Sequence, residues 1–303
     1  MNMGGPDRPE AVQPFLYNLL NDWDLIQFPI PFLQFIFAAI ISRKRAREVA
    51  KEYARMGDAS PQLAMVREQS AALQGALGQG YVCRPVFRYW GEGSAEAREA
   101  LEPGDAVVLL SLYPHACGAT TTSSLRDARS ALKGHSGRVV EIENYPVHPG
   151  WLAALQARID EACAGLDAPH LLFSAHGMPQ RRIDNGDPYL SEIQATVAAV
   201  MAGRDEPHSL SFQSKVGPLD WLKPSTLDEV TRLGGAATKE VVVIPVAFTS
   251  EHIETLVEIG EQIRDVALDA GVGAFVRSDT VQAHPLFIAA LAEMTRTALS
   301  PTE

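Results

Sequence analysis

Residues 171–192, LLFSAHGMPQRRIDNGDPYLSE, decide the fold. They open on an apolar run, 170–174, that is too short for a helix and suits a strand buried on both faces. Residues 175–179, AHGMP, then break the period: Gly177 tolerates unusual backbone angles and Pro179 has no N–H to give a ladder. His176 is therefore expected in the loop at the carboxyl end of a strand, the place where open α/β sheets bind their ligands. Asn185, Gly186 and Asp187 read as a turn, and Asp187 followed by Pro188 reads as a cap and first residue of a helix running to about Ala202.

The same alternation extends in both directions. Upstream, 86–89, 106–112 and 138–142 read as strands, the second running into a loop of small and hydroxyl residues at 113–122. Downstream, 209–214 is a strand, and 240–248, EVVVIPVAF, is the strongest buried-strand signal in the chain. TSEHIE at 249–254 then opens a helix expected to reach Ala270, followed by a strand at 274–277 and a helix at 285–299. Helical patterns also fall at 9–21, with Val12, Phe15, Leu16 and Leu19 on one face, at 62–77, and from a basic run of Arg43, Lys44, Arg45 and Arg47 to Met56. Strands alternating with helices predict parallel βαβ units, hence an α/β protein.

The totals bound the function. A chain of 303 residues is most simply two domains. A net charge of −11 and a pI near 5.2 exclude a general nucleic-acid binder. Cys83, Cys117 and Cys163 show no close metal spacing, so neither a disulfide framework nor a cysteine-bound cluster is expected. The opening MNMGGPDRPE has no basic start or apolar core of an export signal, which makes the cytoplasm the expected compartment. Residues 25–42, LIQFPIPFLQFIFAAIIS, opening at Leu25 and closing at Ser42, carry no charge over 18 positions. Pro29 and Pro31 interrupt any spanning helix, leaving two readings: buried core, or an apolar lip touching the inner face of a membrane from one side.

Three strand ends in the second half present His176, the stretch 213–221, and His252 with Glu254, and parallel strands bring such ends together. Imidazole, with an ordinary pKa of about 6.5, is a base that is neutral near pH 7. On a 3.6-residue helix, Glu254, Glu258, Glu261 and Asp265 share one face. Like charges at that spacing repel, so the stripe is either a solvated face or a path for cations or protons. No GxGxxG, Walker A, GxSxG or HExxH pattern occurs.

SAHGMP, NGDPY, FQSKVGPLDWLKPST and PVAFTSEHIETL resemble the signature blocks of the ferrochelatase family, in the family's order and spacing. The likeness continues through NMGGP, YARMGDASP, FRYW, LYPHACGATTTSSL and YPVHPGW, nearly the whole chain. It implies a chelatase-type fold: two Rossmann-like domains with parallel four-stranded sheets flanked by helices, 1–145 with 281–303 and 146–280, the second carrying the catalytic pair. It implies that His176 and Glu254 contact the metal and handle the pyrrole protons, with Glu258, Glu261 and Asp265 as a proton or metal path. Met3, Arg45, Tyr53, Ser60, Arg88, Tyr89, Tyr113, Trp221, Phe248 and His252 fall on pocket positions. Arg45 and Ser60 would hold propionates, and Met3 favours protoporphyrin IX over coproporphyrin.

The implied reaction is insertion of Fe²⁺, as substrate, into protoporphyrin IX in haem biosynthesis, with no permanent cofactor. The other readings are a chelatase for another tetrapyrrole or metal, and a non-catalytic porphyrin-binding relative. The chain departs from the family pattern in four places. An apolar strand that relatives carry before NMGGP is represented by its last residues only, so a truncated first strand and an open sheet edge are expected, unless the natural start lies upstream. Gly260 and Gln262 stand where acids are usual, Asp58 and Ala59 where glycines are common, and Gln282 where asparagine is usual. There is no cysteine-rich carboxyl tail, so no iron–sulfur cluster is expected.

Overall fold

The structure, a computed structural model, describes residues 1–26, 30–215 and 217–300. Residues 27–29 of the apolar stretch and Val216 of the FQSKVGP block lie outside the described residues. The chain divides into two compact units, Met1–Asn144 with Ile288–Glu303, and Tyr145–Phe287.

The first unit contains β1 (Asn2–Gly4), α1 (Val12–Leu20), α2 (Gln34–Ala54), α3 (Gln62–Leu77), β2 (Phe87–Trp90), α4 (Ser94–Glu99), β3 (Val107–Leu110), α5 (Ser123–Ala131) and β4 (Val139–Ile142). Its strands form two parallel pairs, β1 with β2 and β3 with β4. The first two residues join the pairs: Asn2 N–H donates to the Val86 carbonyl at 2.9 Å, and Leu112 N–H donates to the Met1 carbonyl at 3.0 Å. The line of strands is thus β2, β1, β3, β4, with β1 only three residues long. Continuing that line, a trench of about 620 Å³ runs between 80–86 and 105–110, lined by apolar side chains of α3 (Val66, Leu73, Leu77) and by Leu101, Ala128 and Leu132. Cys83 N–H donates to the Gln74 amide oxygen at 2.8 Å, and the Gln74 amide nitrogen donates to the Tyr81 carbonyl at 2.9 Å, which ties this edge to α3.

Helix α2 corrects the sequence reading twice. It begins at Gln34, inside the apolar stretch, so the basic run sits in mid-helix and offers no helix amino end to an anion. Within the apolar stretch its buried positions are Gln34, Ala38 and Ser42, small or polar, whereas Phe35 and Ile40, and Phe32 just before the helix, are 54%, 59% and 74% exposed. Small residues allow close packing on α1, and Gln34 is satisfied by the carbonyls of Leu20 and Ile26. Ile30, Phe32, Phe35, Ile36 and Ile40 therefore face outward, and the core reading does not hold for these five, while Leu33, Phe37 and Ile41 are half-buried.

The second unit contains α6 (Pro149–Cys163), β5 (His170–His176), α7 (Gln180–Asp184), α8 (Tyr189–Met201), β6 (His208–Gln213), α9 (Thr226–Gly235), β7 (Glu240–Pro245), a π-helix (Glu254–Ile263), α10 (Arg264–Asp269) and β8 (Ala274–Arg277). α11 (Pro285–Leu299) closes the chain. The four strands are parallel in the order β6-β5-β7-β8. Leu171, Leu172, Phe173, Val241, Val242, Val243 and Ile244 are fully buried, as a parallel sheet covered on both faces requires. Leu172, Val241 and Val243 pack with Val230 and Leu233 of α9 and Ile259 and Ile263 of the π-helix. Strand β5 runs two residues past the expected end, so His176 is its last residue rather than part of the loop.

Two of the departures from the family pattern have a backbone explanation. Asp58 and Gln282 have φ of +66° and +47°, in the left-handed region that glycine and asparagine occupy most easily.

Candidate active site

The tip of β5 and the loop after β7 bring together an imidazole and a carboxylate. His176 Nε2 lies 3.5 Å from Glu254 Oε1. Its Nδ1 is 2.6 Å from the Gly177 carbonyl, which can only accept, so Nδ1 carries a proton and Nε2 faces the acid. The other Glu254 oxygen, Oε2, lies 3.3 Å from His252 Nε2. One carboxylate thus serves two imidazoles, one on each oxygen.

Their protonation follows. Burial alone lowers the His176 pKa, but the Glu254 charge and hydrogen bond, the Gly177 carbonyl and the more distant Glu258 together raise it to about 9. Burial pushes the Glu254 carboxyl up, yet His176 and His252 pull it well below the ordinary carboxylate range. Near pH 7 the pair is imidazolium and carboxylate. This corrects the sequence expectation of a resting neutral base: the neighbouring acid holds the proton on His176 until something displaces it.

The loop that carries Glu254 is anchored from below. Glu251, 2% exposed, accepts Arg277 Nη1 on both oxygens at 3.0 Å, Thr280 N–H at 2.8 Å and the Thr255 hydroxyl at 2.5 Å. Burial would raise its pKa, but Arg277 and these donors hold it below the ordinary value. The chain then enters a π-helix, whose i→i+5 bonding takes more residues per turn than an α-helix. The stripe derived from α-helical spacing does not survive this. Glu258 stays near Glu254, and its carboxyl accepts Ser214 N–H at 2.7 Å and the Ser214 hydroxyl. Burial and the Glu254 charge raise the Glu258 pKa, against the lowering from the Ser214 bonds. Glu261 is half-buried further along, while Asp265 belongs to α10, is 63% exposed and pairs with Arg264.

Among the other expected residues of this unit, His252 packs against Phe248 with ring centroids 4.5 Å apart. Trp221 covers Gly177: a Cβ there would lie 3.1 Å from the indole and 2.6 Å from the Gln213 carbonyl, so only glycine fits beside His176. In the first unit, Tyr53, Ser60 and Tyr89 are buried at 3–6%. Ser60 Oγ accepts Gln62 N–H at 3.3 Å, and the Tyr89 hydroxyl donates to Asp22 at 3.0 Å. Arg88 spans Asp22 at 2.9 Å and Asp127 at 3.7 Å. These groups are engaged within their own unit, whereas Arg45 is exposed and Met3 and Tyr113 are partly so. Sequence reasoning missed the Glu251–Arg277 anchor and Ser214; the pairing of acid and base 26 positions apart leaves no local pattern to read. Among the described residues there is no group of three or more His, Cys, Asp and Glu side chains that could hold a metal ion.

Parallel α/β units with a histidine at a strand tip facing a carboxylate at the head of a nearby helix fit a class, the chelatase-type α/β proteins. SirB from Bacillus subtilis with Fe³⁺ shares the fold at a TM-score of 0.57 and 13% identity, covering 77% of this chain and 90% of that chain. The ferrochelatase family model matches residues 1–299. A ferrochelatase from Geobacter metallireducens is 40% identical over 98% of this chain and 96% of its own length, and one from Aquifex aeolicus is 39% identical over 98% and 97%. The chain belongs to the ferrochelatase family. Membership carries the activity: it is a metal-chelating lyase that inserts ferrous iron into protoporphyrin in haem biosynthesis.

Proposed function

We propose that His176 and Glu254 are the groups that receive the iron and the pyrrole protons. The observation that carries this reading is the 3.5 Å contact between His176 at the tip of β5 and Glu254 at the start of the π-helix. Fe²⁺ binds imidazole and carboxylate readily, and a metal on Nε2 takes the place of a proton. The arriving cation therefore expels the proton that Glu254 holds on His176. Glu258, with its raised pKa, is a better proton acceptor than an ordinary carboxylate, and it is close enough for its charge to act on His176. Trp221 and Phe248, near this pair in the same unit, are aromatic side chains suited to stack on a flat macrocycle. The direct test is anaerobic incubation with protoporphyrin IX and Fe²⁺, followed by the loss of porphyrin fluorescence. Tight porphyrin binding with no loss of fluorescence would instead make the chain a non-catalytic binder.

Displacement of the His176 proton gives a pH signature. Zinc affinity, measured by titration calorimetry without porphyrin, is expected to rise roughly tenfold per pH unit below about pH 9 and to level off above it. Flat affinity from pH 7 to 9 would contradict proton displacement from this histidine.

The outward apolar face of α2, followed by Arg43, Lys44, Arg45 and Arg47, has the make-up of a surface that enters a bilayer from one side and meets anionic head groups. No helix of the described residues is long and apolar enough to cross a membrane. The chain is expected to sediment with vesicles containing anionic lipid. Phe32→Ser with Phe35→Ser should abolish most of that binding while leaving porphyrin metalation intact; unchanged sedimentation would remove the membrane reading.

A further inference from the structure

Glu254 lies nine residues beyond the end of β7, so sheet pairing does not fix its distance from His176. One buried side chain reaches from the strand of His176 to Glu254. Gln213, the last residue of β6, is 3% exposed and spans the gap with its amide: Oε1 accepts the Ser174 hydroxyl at 2.7 Å, and Nε2 donates to the Glu254 carbonyl at 3.2 Å. Ser174 is two residues before His176 on the same strand, and His176 is the register partner of Gln213. The Gln213 carbonyl also accepts Gly177 N–H at 2.7 Å, holding the residue that follows the histidine. The far end is rigid in turn. Ser174 Oγ and Ser211 Oγ both meet Thr226 Oγ1, at 2.9 and 3.0 Å, and all three residues are at most 1% exposed. A buried hydroxyl network with its bonds satisfied specifies one geometry.

The next residue works on the second acid. Ser214 has φ of +63°, an uncommon conformation for a residue other than glycine, and it directs both its N–H and its hydroxyl onto Glu258. The tip of β6 therefore fixes the backbone of one carboxylate and the head group of the other.

We propose that Gln213 is a positioning residue for metal insertion, whose amide links the strand of His176 to the residue Glu254 and so sets the reach of that pair, with Ser214 seating Glu258 beside it. The proposal rests on the reading of His176 and Glu254 as the metal-handling pair. Gln213→Glu keeps the shape but places an acceptor against the Glu254 carbonyl; Gln213→Leu removes both bonds. A misplacement of such groups by a fraction of an ångström to an ångström costs about tenfold to a hundredfold in rate. Both variants are therefore expected to lose kcat by that order and to raise the KM for the metal, with the KM for protoporphyrin little changed. Zinc affinity measured by calorimetry without porphyrin should weaken by about tenfold. Ser174→Ala, which frees only the far end of the amide, should move the same parameters less.

A purely structural role gives a different pattern: kcat falls with the folded fraction, the metal KM stays put, and cooling the assay restores the rate. That result, or parental kinetics and parental zinc affinity in Gln213→Glu, would overturn the proposal. A parent protein that neither inserts metal nor binds zinc would instead sink the reading of the pair itself.

Discussion

His176→Ala protein is expected to insert ferrous iron about 100-fold to 10,000-fold more slowly than its parent, the range in which a positioned proton-transfer group acts. The substitution removes a metal donor and the partner of Glu254 together. It should not unfold the chain, because the buried part of β5 is Leu171–Ala175 and the His176 side chain is 39% exposed. Stability should shift by no more than about 1 kcal/mol, which a denaturant melt verifies alongside the rate. A folded variant that inserted iron at the parental rate would show that the chemistry lies elsewhere.

Glu254→Gln should produce the larger electrostatic change. With the acid present, His176 titrates at about 9; with a neutral amide in its place, the burial that lowers the pKa faces only the Gly177 carbonyl and Glu258. The imidazole is expected to titrate near or below 6.5, visible as a change of more than two pH units in its ring NMR signals. The sign carries over to folding. A raised histidine pKa contributes stability that is complete below its ordinary value of 6.5 and is lost as pH rises through 9; a depressed carboxyl pKa contributes above 4.5 and is lost as pH falls. The pair therefore stabilises most between about pH 4.5 and 6.5, and the variant should lack that plateau in its unfolding profile. A histidine still titrating near 9 in Glu254→Gln would mean another group holds its proton.

Much of this was legible in the sequence, for identifiable reasons. EVVVIP and HLLFSAH have the unbroken apolar runs of strands covered on both faces, and β8 (Ala274–Arg277) fell where it was expected. The ends of parallel strands already placed His176 near His252 and Glu254, and the family likeness singled out the pair, since no local period connects residues so far apart in the chain. The π-helix was not legible at all: Ile253, Val257 and Ile263 fit an α-helical stripe, and the wider turn shows only in the backbone bonding. The inverted face of α2 was equally hidden, because an apolar run reads alike whether it faces in or out, and only the packing of Ala38 and Ser42 on α1 decides which.

The trench beside β1 gives the two halves of the molecule unequal resistance to opening. In the second unit every strand of the sheet has a neighbour throughout its length, and local fluctuations there must break a continuous ladder. In the first, the described strands pair over short stretches, β1 with β2 and β3 with β4, each strand three or four residues long. Breathing motions and protease entry would start along 80–86 and 105–110, and the tip of β5 that carries the imidazole would outlast them.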